Sequence, residues 1–143
     1  MIVKKNTAGF PLSLLALLSI LVLTGGCGTL QNATVRQSQE KRLKLYAREV
    51  RWGNLEALPA YLSPDLTAKQ GRVAANPENI RVIEYEVVVP PAKVGENESV
   101  QTVQIQYLHR DRQVVRTLMD RQNWKYEPET KQWFRNNLIP EFK

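Results

Sequence analysis

The chain contains a single cysteine, a single histidine and only seven glycines in 143 residues. One cysteine forms no internal disulfide, and one histidine beside it does not complete a zinc site, which takes four nitrogen or sulfur ligands. A serine nucleophile needs a base to take its proton, and His109 is the one imidazole on offer; no Gly-x-Ser-x-Gly elbow accompanies it. The glycines make no Gly-x-Gly-x-x-Gly or Walker-type run, so a phosphate-cradling loop is excluded. No apolar run reaches the roughly 20 residues that span a bilayer. No cofactor or metal is expected, and the residue types argue against an enzyme.

An unusual start is present instead. Lys4 and Lys5 precede an apolar stretch from Phe10 to Leu23. That stretch is about 14 residues long, the length of a signal-peptide core. Leu23-Thr24-Gly25-Gly26-Cys27 follows, with small residues just before the lone cysteine. The segment resembles the lipobox of bacterial lipoproteins. The resemblance implies that the Cys27 thiol receives a diacylglycerol, that cleavage between Gly26 and Cys27 leaves that cysteine as the first residue, and that it carries two or three acyl chains, palmitate among them. Each buried methylene adds about 0.8 kcal/mol, so two or three chains give lasting membrane attachment. Gly28 stands where lipoproteins of the inner membrane commonly carry Asp, which implies an outer-membrane address facing the periplasm. The expected organisation is a leader over 1–26, a lipidated cysteine and short tether over 27–33, and one domain over 34–143.

The domain reads as helices followed by strands. Thr34-Val35-Arg36-Gln37 fits a capping box. Leu43, Tyr46, Ala47 and Val50 then fall on one helical face, so the helix is expected to dock by its second half. Glu40 and Lys44 are placed for an i,i+4 pair. Gly53 supplies a left-handed stop, Asn54 is placed to cap a second helix from Leu55, and Ser63-Pro64 closes it. Asn76-Pro77 marks a turn. From Ile80 the period becomes two. Tyr85, Val87 and Val89 alternate with Glu84, Glu86 and Val88, and a bulge near Val82–Ile83 brings Ile80 and Val82 into phase. Pro90-Pro91 is expected to end this strand. Val103, Ile105 and Tyr107 mark a second strand, Gln113 to Tyr126 a third and Gln132 to Arg135 a fourth. Helices segregated to one side of an antiparallel sheet make an α+β domain, here with a curved four-stranded meander wrapping the first helix.

Trp52-Gly53-Asn54-Leu55-Glu56-Ala57-Leu58 with Tyr61-Leu62-Ser63-Pro64, and the pair Trp124-Lys125-Tyr126 and Gln132-Trp133-Phe134, resemble the helical hairpin and closing strands of nuclear transport factor 2-like domains. The resemblance covers roughly residues 36 to 137 and implies a cone-like sheet. That superfamily holds dehydratases, cyclases, ligand-binding modules and assembly domains, so fold leaves function open.

Inside such a cone the candidate ligand-pocket residues are Tyr85, Tyr107, Asp120 and Trp124, with core packing as the competing role. Asp120 shares strand parity with Leu118 and Trp124, and Arg116 with them, so a buried Asp120 is expected to pair structurally with Arg116. Glu84 and Glu86 have the parity opposite to Tyr85 and face solvent if Tyr85 faces the core. His109 is expected in a solvated turn. Trp52, Tyr61 and Trp133 join the aromatics that line either a pocket or the core. Lys4 and Lys5 lie in the leader, so the net charge of +6 falls to +4 in the remainder. Arg42, Lys44 and Arg48 form a candidate basic contact face toward an envelope protein or an anionic envelope component, with plain solvation as the alternative. Export directs the domain away from nucleic acid. The expected role is a membrane-anchored, non-catalytic interaction or envelope-assembly module, with homodimerisation open. A small-ligand binder, or a dehydratase- or cyclase-like enzyme, is the alternative.

Overall fold

A computed structural model describes residues Cys27–Lys143, with side chains in its first helix from Gln31 onward. The leader expected over 1–26 and its cleavage site after Gly26 lie outside the described residues, as does the Cys27 side chain. By contact density the chain divides after Val35. Of the first unit, Cys27–Val35 is helical, as the first part of α1 (Cys27–Arg51). The tether expected over 27–33 is thus helix, and Thr34 lies inside it, not at a cap. Thr29 to Ala33 contains neither Gly nor Pro, so nothing in the chain interrupts the helix there.

The second unit, Arg36–Lys143, is an α+β domain in which the second half of α1 packs on an antiparallel sheet. Leu43, Tyr46 and Val50 are buried, the face that the 3-and-4 spacing marks. Arg36 pairs with Glu40 at 3.4 Å, a turn before the expected Glu40–Lys44 pair. Gly53 ends the helix at φ +73°, with its N–H on the Val50 carbonyl and that of Asn54 on the Glu49 carbonyl, the Schellman pattern. The Asn54 side chain makes no cap and donates to Glu49 at 2.8 Å. Pro59 has no N–H to give an α-helix, and Leu55–Tyr61 forms a 3-10 helix that buries Leu55, Leu58 and Tyr61. A single turn, α2 (Pro64–Thr67), and a 3-10 turn, Pro77–Asn79, lead into the sheet.

Four strands follow in the order β1-β2-β3-β4: β1 Ile80–Lys93, β2 Glu98–His109, β3 Val114–Glu127 and β4 Gln132–Arg135. The sheet is open, with β1 and β4 at its edges. In β2 every odd residue from Ser99 to Tyr107 is buried, and the register carries that face to Tyr85 on one side and to Leu118, Asp120, Gln122 and Trp124 on the other. Register breaks fall between Val82 and Glu84, as expected, and again at Val87/Val89 and Val89/Ala92. Pro90-Pro91 therefore does not end β1. An edge strand loses no ladder bond on its open side, so prolines persist there among bulges. Beyond β4 the tail returns across the buried face: Ile139 exchanges two hydrogen bonds with the Gln70 side chain, and Phe142 bridges to Ala74.

A Cβ built on Gly53 meets nothing closer than 3.8 Å, so a substitution there acts through the backbone alone. Gly53→Ala is expected to cost about 1 kcal/mol through the left-handed conformation, measurable as a lower urea midpoint with an unchanged slope.

Candidate functional site

The chemistry-bearing side chains of the domain converge on the buried face between α1 and β3–β4. Asp120, Gln122 and Trp124 follow one another along a single face of β3, and Trp124 lies opposite Arg135 of β4. Arg135 and Asp120 form a bidentate ion pair at 2.6 and 2.8 Å, with side-chain exposures of 0% and 2%. The expected partner Arg116 is exposed and lies four residues before Asp120 on β3. The other N–H groups of Arg135 reach Tyr46 Oη at 2.8 Å and the carbonyls of Asn137 and Leu138, each at 3.1 Å. All five of its donors are thereby engaged.

Gln122 extends the cluster. Its amide nitrogen donates to Asp120 at 2.8 Å and to the Tyr85 hydroxyl at 3.2 Å, and its oxygen accepts from Gln101 at 2.7 Å and Trp124 Nε1 at 3.3 Å. The Tyr46 ring meets Tyr61 and Trp124 edge-on at 5.3 and 5.4 Å. Burial above all drives the Tyr46 hydroxyl well above its ordinary value, with Arg135 opposing. Burial likewise pushes Tyr85 up to about 12, against the hydrogen bond from Gln122. Burial works against the Arg135 charge, but Tyr46 and Asp120 more than offset it, and the guanidinium titrates above its ordinary range.

Tyr85, Asp120 and Trp124 thus come together through Gln122. Tyr107 does not join them; its hydroxyl exchanges hydrogen bonds with the main chain of Lys143, donating at 2.8 Å and accepting at 3.1 Å, and its ring stacks edge-on against Phe142. The sequence reading missed Arg135 and Tyr46 as members of this site. Arg135 lies two residues from Trp133 in a strand, and that shared parity was the available signal.

Such a cluster is suited to holding elements together. General acid–base work needs a proton that can reach a substrate, and here the carboxylate faces a guanidinium and a glutamine with all their donors spent. Among the described residues no group of three or more His, Cys, Asp or Glu is placed to hold a metal.

The other candidates lie elsewhere. Arg42 is half-buried: its guanidinium donates to the carbonyls of Trp133 at 3.1 Å and Ala60 at 3.3 Å and stacks 4.2 Å over the Tyr61 ring. Burial lowers it from its ordinary value. It therefore leaves the expected basic face, because its reach along the helix brings it into the cleft between β4 and the 3-10 helix. Lys44 and Arg48 remain exposed, Arg48 at 3.7 Å from Glu49. His109 is the last residue of β2, half-buried 5.9 Å from the Tyr107 ring, and not in a solvated turn. Of the six aromatics that read as pocket or core, five are buried, and Trp52 is 83% exposed. It follows the last helical residue and lines, with Arg51 and Val82–Glu86, a groove of about 680 Å³ along β1.

Comparison with family models, with curated proteins and with solved structures finds no match for the chain.

Removing one member of the buried ion pair strands the other in a dry interior. Asp120→Leu or Arg135→Met is expected to cost about 3–5 kcal/mol, and the two together distinctly less than the sum, in a urea-unfolding double-mutant cycle. Tyr85 binds its proton more tightly folded than unfolded. Its contribution is complete below its ordinary pKa of 10.0 and is lost as pH rises through about 12. Alkaline titration at 295 nm should show the Tyr85 phenolate appearing only near pH 12, with Tyr46 also displaced well above its ordinary value.

Proposed function

We propose that the protein is a lipid-anchored lipoprotein of the cell envelope, held through Cys27 at the outer membrane, whose α+β domain acts as a non-catalytic interaction or assembly module. The observation that carries the second half of this reading is the sealed interior. The polar groups most suited to chemistry, Asp120, Arg135, Gln122, Tyr46 and Tyr85, are buried and bonded to one another. The domain's surface is the opposite. Trp52, Ile83, Val89, Val115 and Met119 are each at least half exposed. Large exposed apolar side chains near polar ones are the usual material of contact surfaces.

The first half rests on Leu23-Thr24-Gly25-Gly26-Cys27 following a basic start and a short apolar core. Lys44 and Arg48 add a modest pull toward anionic headgroups, each about 1 kcal/mol when held near an anionic surface. The resemblance to nuclear transport factor 2-like domains fits the order of helices and meander, and it supports a scaffold that hosts contacts as readily as catalysis.

Protein recovered from its native cells after growth with labelled palmitate tests the anchor. The expected N-terminal peptide begins at an acylated Cys27, and Cys27→Ser loses both the label and membrane fractionation. A chain that keeps Met1 and a free thiol overturns the reading.

A further inference from the structure

β1 is an edge strand, so among the described residues one of its sides has no strand beside it. Most of its length is unfit to receive another strand, because the register breaks at Val82/Glu84, Val87/Val89 and Val89/Ala92, and Pro90-Pro91 carries no N–H. Between the first two breaks lies one regular stretch, Glu84–Val87, paired residue by residue with Gln106, Ile105, Gln104 and Val103. The groove of about 680 Å³ runs against most of this stretch, and its far wall is Arg51 and the exposed Trp52. Arg51 Nη2 donates to the Tyr85 carbonyl at 2.9 Å, so this carbonyl faces away from β2 and an added strand would share or displace that bond.

Charge identifies the occupant. Glu84 and Glu86 are exposed, stand on one face of β1 two residues apart, and form no ion pair among the described residues. Alternate side chains of an added strand have that same spacing, and opposite charges directly across a strand pair attract. The chain past residue 26 carries +4, so a basic ligand meets net repulsion over the domain and attraction at Glu84 and Glu86, with Arg51 at the groove already bonded to the Tyr85 carbonyl. Main-chain bonds would supply affinity and the alternate side chains specificity.

We propose that the open side of β1 at Glu84–Val87 receives an extended segment of a partner protein that carries Lys or Arg at alternate positions and places an apolar residue against Trp52 and Ile83. The inference deepens the interaction-module reading by naming the surface and the kind of partner, and it does not depend on how the protein is anchored.

Trp124 and Trp133 are buried, so acrylamide quenching of the full chain in non-ionic detergent reports on Trp52. The probes are the blocked peptides Lys-Val-Lys-Val-Lys-Val and Glu-Val-Glu-Val-Glu-Val, and the basic peptide N-methylated at alternate residues. The basic peptide should shield Trp52 and slow amide exchange at Glu84–Val87, while the acidic and N-methylated peptides should do neither. The double variant E84K/E86K should weaken the basic peptide about tenfold and accept the acidic one. Absence of shielding, equal shielding by the N-methylated peptide, or unchanged preference in the double variant overturns the proposal. An acylated Cys27 without shielding removes the groove and leaves the anchor; shielding with a free Cys27 thiol does the reverse.

Discussion

Moving a carboxylate and a guanidinium out of water costs several kcal/mol for each ion, and in this domain one close bidentate contact between Asp120 and Arg135 offsets that cost. The offset works because no donor on Arg135 is left over. Its remaining bonds reach α1 through Tyr46 and the tail through the Asn137 and Leu138 carbonyls. Gln122 carries the same network across the sheet to Tyr85 and Gln101. Through these bonds one ion pair ties together the helix, the third and last strands and the chain that follows. Apolar packing of Leu55, Leu58, Val103 and Ile105 fills the space around it but specifies direction less sharply.

The part of the fold legible in the sequence is the part decided by local period. Val103-Gln104-Ile105-Gln106-Tyr107 alternates and forms the central β2; Leu43, Tyr46 and Val50 share a face and dock; Gly53 stops the helix at positive φ. What was not legible depends on neighbours remote in sequence. Pro90-Pro91 reads as a strand end because proline removes a ladder donor, yet both prolines fall in the register break between Val89 and Ala92 of an edge strand, where no ladder donor is required. Thr34 is the local exception: it reads as a cap because hydroxyl and glutamine are suitably spaced, yet helix already precedes it. Asp120 reads as buried, correctly, but its partner comes from β4 instead of its own strand. Arg42 reads as surface charge and is in fact stacked on Tyr61.

The same physics bears on function. A pocket made from Tyr85, Tyr107, Asp120 and Trp124 needs these groups to turn toward a ligand, whereas three of them are bonded through Gln122 and the fourth is covered by Phe142 and Lys143. The polar side chains inside the sheet are thus bonded to the protein's own groups, while Trp52 stands outside them at the surface. Trp52 owes its place there to the helix stop: once Gly53 turns the chain, the residue before it has no core to enter.

Tyr46 and Arg135 are 89 residues apart, and the bond between them cannot form until nearly all of the domain is available. Contacts so distant in sequence delay folding, because the loop they close must be ordered first. During synthesis the helix is made early but lacks its polar anchor until the last strand emerges. Compact states that precede the last strand therefore lack the Tyr46–Arg135 bond, however far the rest of the chain has collapsed.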